Sequence, residues 1–169
     1  MNNNALRNHI NKKREEGDTV ECEFESLAEE EGYFCMKSSS TQDWEEHWDY
    51  KLIKDGVLKY VDVKAKKRGH DEGYTWVELK NVHGEDGWLY AKKLDYVVFE
   101  KDDRFDFVDI KKLRDLINEK VMFTYHFSVT EDISEMEYCK YKRDGRFDVI
   151  VLTPYSDLDK LVVKSIMKK

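Results

Sequence analysis

Asp49, Asp62 and Lys64 are the residues of this chain whose types and spacing suit metal-assisted activation of water. They lie in the segment His47-Trp-Asp-Tyr-Lys-Leu-Ile-Lys-Asp-Gly-Val-Leu-Lys-Tyr-Val-Asp-Val-Lys64, in which Asp55-Gly56 separates two alternating apolar runs. That pattern predicts a β-hairpin. Symmetric pairing about the turn places Asp49 directly opposite Asp62, and Lys51 opposite Tyr60. Because side chains alternate along a strand, Asp62 and Lys64 share one face, and Asp49 joins them there. Two opposed carboxylates repel unless a cation lies between them. Hard oxygen donors favour Mg²⁺ (or Mn²⁺), which needs only one or two protein carboxylates beside water and phosphate oxygens. Such an ion lowers the pKa of a bound water and neutralises charge building on phosphorus. The Lys64 ammonium, next to the ligands, positions that water or stabilises the developing oxyanion.

Several elements are needed to hold this group. A helix capped by Asp18 or Thr19 is expected to run to Glu31 and stop at Gly32, with Val20, Phe24, Leu27 and Ala28 as its apolar stripe. Glu25 lies at the edge of that stripe. A strand at 33–37, a loop with a short helical turn over 38–46, and the hairpin follow. Thr75–Lys80 is a further alternating strand. Turning back around Gly69-His70, it would set Glu78 beside Asp62 and Trp76 beside Lys64, although a one-residue slip reverses the face. A Gly84–Gly87 turn, a short helix from Trp88, a buried strand over 94–100 and a short strand over 105–108 come next. Asp109 is expected to cap a helix lined by Ile110, Leu113 and Ile117. Strands over 121–129, 138–142 and 147–153 and a final helix from Ser156 complete the reading.

This order of elements resembles the PD-(D/E)XK nuclease superfamily, which includes restriction endonucleases and Holliday-junction resolvases. The resemblance covers residues 20–100. It implies an α/β (α+β) fold with a restriction endonuclease-like core: a central mixed β-sheet with an antiparallel hairpin, flanked by helices. Carried over by residue, Glu25 resembles the helix glutamate that orients a metal-bound water, Asp49 and Asp62 the acidic ligands, and Lys64 the lysine. Trp48 stands where the family has proline. A second alignment takes Asp62 as the first acid and Glu78-Leu79-Lys80 as the Glu-x-Lys, which makes Glu78 a metal ligand and Lys80 the lysine. Both alignments use Asp62. The resemblance implies a Mg²⁺- or Mn²⁺-dependent enzyme that hydrolyses DNA, with junction or branched substrates among the choices, a homodimer, and a phage or mobile-element setting. A rival of another class is a catalytically inactive nuclease-like domain that binds nucleic acid or inhibits a protein partner.

The composition bounds the rest. A chain of 169 residues with a net charge of −7 is long enough for one sizeable core and has no global field for polyanions. DNA contact therefore calls for a local basic patch, and Lys66, Lys67, Arg68, Lys92 and Lys93 offer one, with Arg143 and Arg146 further along. The polar stretch 1–18 is set apart from a single nuclease-like domain over 19–169. Cys22, Cys35 and Cys139 have no Cys-x-x-Cys spacing and read as buried, reduced thiols of a cytoplasmic protein. No apolar run approaches membrane-spanning length. Trp88 and Tyr90 are candidates for stacking on splayed bases, whereas Trp76 reads as core.

Overall fold

A computed structural model describes residues 3–66, 72–126, 128 and 132–169. Helix α1 (Asn3–Glu30) leads into strand β1 (Phe34–Lys37), helix α2 (Ser40–Glu46) and the hairpin β2 (Tyr50–Lys54)–β3 (Val57–Lys64). Strand β4 (Tyr74–Lys80), a 3₁₀ turn at Trp88–Tyr90, β5 (Tyr96–Glu100), β6 (Arg104–Asp109) and α3 (Ile110–Lys120) follow. Short strands β7 (Tyr125–His126) and β8 (Lys140–Tyr141) precede β9 (Val149–Pro154), the single turn α4 (Tyr155–Leu158) and β10 (Val162–Met167). The strands form a six-stranded mixed sheet, ordered β1-β2-β3-β5-β6-β10, and a second sheet ordered β4-β9-β8-β7. The fold is thus mixed α/β about a central mixed sheet. Only β3 and β5 run parallel within the larger sheet.

Local chemistry explains the hairpin. Asp55 and Gly56 both have positive φ, 52° and 75°, as a tight two-residue turn of primed type requires. The register then follows: Lys51 pairs with Tyr60 and Tyr50 with Val61. Gly32, at φ 85°, ends α1, where its N–H donates to the Glu29 carbonyl and that of Tyr33 donates to the Ala28 carbonyl. This is the paired hydrogen bonding of a Schellman stop. Asp109 caps α3 by accepting from the backbone N–H groups of Lys111 and Lys112.

One core lies between α1 and the larger sheet, around Phe24, Tyr50, Leu52, Val61 and Phe105. The other lies on the opposite face of that sheet, against β4, β9 and α3, and contains Trp48, Val77, Trp88, Val97, Phe99 and Val151. The carboxylates sit on this second face. They are therefore walled by apolar groups, a condition that governs their ionisation.

Four expectations need correction. Helix α1 runs unbroken through 18–19, so neither Asp18 nor Thr19 caps it. Gly17 in its interior costs about 1 kcal/mol relative to Ala, too little to break a long helix. Strand β4 does not return beside β3; it pairs with β9, and β5 takes the place beside β3. Among the described residues of 121–129, only Tyr125–His126 form a strand, β7. The final helix shrinks to one turn, and Val162–Met167 instead forms an edge strand on β6, where Ile166 is buried. Its β-branched residues favour a half-buried strand once β6 offers an open edge.

Candidate active site

Asp49 is placed by residues on either side of it. His47 has φ 55°, a left-handed turn that swings the chain from α2 into β2. Trp48 is fully buried, edge-on to the Tyr60 ring at 5.2 Å, and its indole N–H donates to Glu46 at 2.7 Å. The Asp49 backbone N–H donates to the Val61 carbonyl at 2.8 Å, extending the hairpin ladder by one step. Its carboxylate accepts from the Val63 N–H at 2.7 Å. Asp49 therefore stands across from Asp62, and the two carboxyl groups come within hydrogen-bonding distance.

Both aspartates are buried, at 8% and 4% exposure, which leaves little water to screen their repulsion. Burial, and then the Asp62 charge, push the Asp49 carboxyl up to about 8. At neutral pH the pair thus retains one proton. The Lys64 ammonium lies 2.7 Å from each Asp62 oxygen and 5.4 Å above the Trp88 ring. Burial works to lower the Lys64 pKa, but the charges of Asp62, Asp49 and Glu78 outweigh it and hold the ammonium above its ordinary value.

Glu78 reaches this group from the other layer. It lies in β4, and its carboxyl is raised by burial, with the Lys64 charge opposing that rise and the Asp148 charge adding to it. The Trp88 backbone N–H bonds to it. The approach is close: a Cβ on Gly87 would lie 2.5 Å from the Glu78 carbonyl oxygen, so only glycine fits there. Lys80, its partner in the second alignment, sits beyond a bulge in the β4–β9 pairing and donates to the Gly84 carbonyl at 3.2 Å. Lys80 is exposed and remote from the aspartates' hydrogen bonds.

On α1, Glu25 and Glu21 meet different partners. Glu25 accepts from the Tyr50 hydroxyl at 3.2 Å. Glu21, one turn earlier, pairs with Lys37 at 2.9 Å, and burial followed by the Asp49 charge raises its carboxyl. Glu21 is thus the helix carboxylate electrostatically linked to Asp49. The sequence signal for it was its position four residues before Glu25 on the same helix face. Trp88 beneath Lys64, and the buried Asp148 with its Arg143 partner beside Glu78, left no signal in local spacing.

The candidate basic residues divide as well. Lys66 is held by both Asp102 oxygens at 2.8 Å and by Glu72 at 3.3 Å, so acids neutralise it. Lys67 and Arg68 lie outside the described residues. Lys93 pairs with Glu46 at 2.6 Å, and with Lys92 it lines a cleft of about 580 Å³ shared with Glu45, His47, Glu85 and Asp86. Trp88 is buried and so offers no ring face to bases, while Trp76 is half-buried and packs on Tyr141 at 5.4 Å. Cys22 is exposed, contrary to expectation, whereas Cys35 and Cys139 are buried. Burial pushes the Cys35 thiol up to about 11, leaving it inert at neutral pH.

The fit to a divalent ion can be judged from these groups. Among the described residues no cluster of three or more His, Cys, Asp and Glu side chains could hold a metal. A closed structural site is thereby unsupported. Two convergent carboxylates do match what Mg²⁺ takes from protein, because the ion retains water and binds phosphate oxygens. No family model and no curated protein matches this chain. A bacterial homing endonuclease, I-Ssp6803I, is a similar solved structure, with 18% identity and a TM-score of 0.42 over 57% of this chain and 64% of its own. That likeness is too slight to bear on the site, which stands on its own geometry. No helix among the described residues is long and apolar enough to cross a membrane.

Proposed function

We propose that this chain is a Mg²⁺- or Mn²⁺-dependent endonuclease of the PD-(D/E)XK type acting on DNA. The observation that supports it is the buried Asp49–Asp62 pair in hydrogen-bonding contact, with Lys64 against it. Burying two opposed carboxylates costs free energy, and a cation held between them offsets that cost. Asp49 and Asp62 are the residues that would hold the ion, with both carboxyl groups ionised. When bound, the ion supplies Lewis acidity toward water and the phosphoryl oxygen. Lys64, beside Asp62, would meet charge developing on the phosphate. Glu21, whose carboxyl feels the Asp49 charge, is the α1 carboxylate placed to orient the attacking water, whereas Glu25 is held by the Tyr50 hydroxyl on the other face of the sheet. Glu78, bonded by the Trp88 N–H, adds a negative charge that favours the Lys64 ammonium.

One observation favours a second reading, a catalytically inactive nuclease-like domain that binds nucleic acid or a protein. Lys64 already contacts both oxygens of Asp62, so the pair is neutralised without a metal. Incubation with plasmid, single-stranded DNA, branched DNA and RNA in Mg²⁺ or Mn²⁺ separates the readings. Metal-dependent cleavage by the parent that is lost in Asp62→Ala supports the nuclease. No cleavage of any substrate leaves the inactive domain.

A further inference from the structure

The sheet face that carries Asp49 and Asp62 continues toward the hairpin tip as a regular ladder. Met36, Lys51 and Tyr60 form the cross-strand row next to the aspartates, and Phe34, Ile53 and Leu58 form the row after it. Cys35 and Leu52, which alternate with them, point into the core beneath α1, so these six point the other way. Phe34, Met36 and Leu58 are 62%, 44% and 43% exposed. Lys51 lies over the Trp48 and Tyr60 rings at 5.0 and 5.7 Å, so its charge is held on this face.

The dimensions indicate what covers it. Two residues of strand rise about 6.7 Å, so the rows lie roughly 7 and 13 Å from the carboxylates. Three strands by two rows make a patch of about 200 Å², far below the ~800 Å² per partner of a specific protein interface. A patch of that size matches one or two stacked rings. A ligand with flat apolar rings on an anionic chain complements both the exposed side chains and Lys51.

We propose that this face binds the unpaired bases of a single-stranded or branched nucleic acid, whose backbone runs from the Asp49–Asp62 pair past Lys51 to Phe34. A duplex hides its base faces in its own stack, so the ladder selects ends, forks and junctions. The direction of the strand rests on the nuclease reading; the stacking rests on the exposed ladder itself.

The test measures fluorescence anisotropy of a labelled single-stranded oligonucleotide and of a blunt duplex in EDTA, with cleavage in Mg²⁺ followed in parallel. Phe34→Ala should weaken single-strand binding roughly tenfold and leave duplex binding at the parent level, the loss expected for one stacked base. Phe34→Trp should restore binding. Val163→Ala and Met167→Ala, which remove exposed apolar groups on the far edge strand, should have no effect. Lys51→Gln should reduce the salt dependence by about one counterion. Single-strand binding unchanged by Phe34→Ala overturns the proposal. So does a parent dimer that Phe34→Ala converts to monomer on size exclusion, since the face would then be a protein interface. Binding that depends on Phe34 in a protein that never cuts supports the ladder and defeats the hydrolase reading alone.

Discussion

At the scale of single residues, two lysines separate the possible sites. Lys64 touches Asp62, whereas Lys80 reaches only a turn carbonyl. Lys64→Ala is expected to retain metal binding and lose single-turnover cleavage by roughly 10² or more, through lost transition-state stabilisation. Lys80→Ala should cut like the parent, and the reverse ranking would move the chemistry to β4. Asp49 provides a prediction that needs no substrate. Its folded carboxyl, pushed up to about 8 from an ordinary 3.8, holds a proton that the unfolded chain releases. Its stabilising effect is complete below about pH 4 and is lost as pH rises toward 8, on the order of a few kcal/mol. Urea unfolding in EDTA across pH 4–8 should show that decline in the parent and a weaker one in Asp49→Asn. Identical profiles would mean that Asp49 is already ionised. The aspartate pair was legible in the sequence because period-two alternation and an Asp-Gly turn fix both face and register. Glu21 was not, because which of two successive helical turns meets a strand depends on how α1 docks.

Elements show the same division between local and distant causes. The hairpin and the cap of α3 follow from a few adjacent residues, and both were legible. Gly56 at φ 75° is the most sensitive point of the hairpin, since any side chain there is strained. Gly56→Ala should destabilise the fold by about 1 kcal/mol and reduce cleavage with it, by loosening the register that opposes Asp49 to Asp62. Unchanged thermal unfolding and rate would show that the register is held elsewhere. The placement of β4 and β10 was not legible, because each is set by a partner distant in sequence. β4 joins β9, and β10 joins β6. On α1, Glu21→Gln should slow cleavage more than Glu25→Gln, because Glu21 is the carboxylate coupled to Asp49. Equal rates for the two would remove the helix from the site.

For the molecule as a whole, the two sheets bring together groups that the chain keeps far apart. Asp49, Asp62 and Lys64 come from the larger sheet, Glu78 from the smaller one, and Trp88 from the turn that Gly87 allows between them. The apolar layer shared by the sheets, with Val97 and Phe99 beside β3, supplies the low dielectric that leaves the aspartates with a single negative charge. A net charge of −7 gives no general attraction for DNA, so the proposed function draws its affinity from the metal and the local surface around it. In the proposed function Asp49 and Asp62 together hold one divalent ion. Calorimetric titration with Mn²⁺ tests it most directly, in the parent, Asp49→Asn and Asp62→Ala, at pH 6 and pH 8. The expected result is one ion bound by the parent, more tightly at pH 8 as Asp49 loses its proton, and none by either variant. Equal Mn²⁺ binding in all three proteins, or none in the parent at pH 8, would contradict the claim.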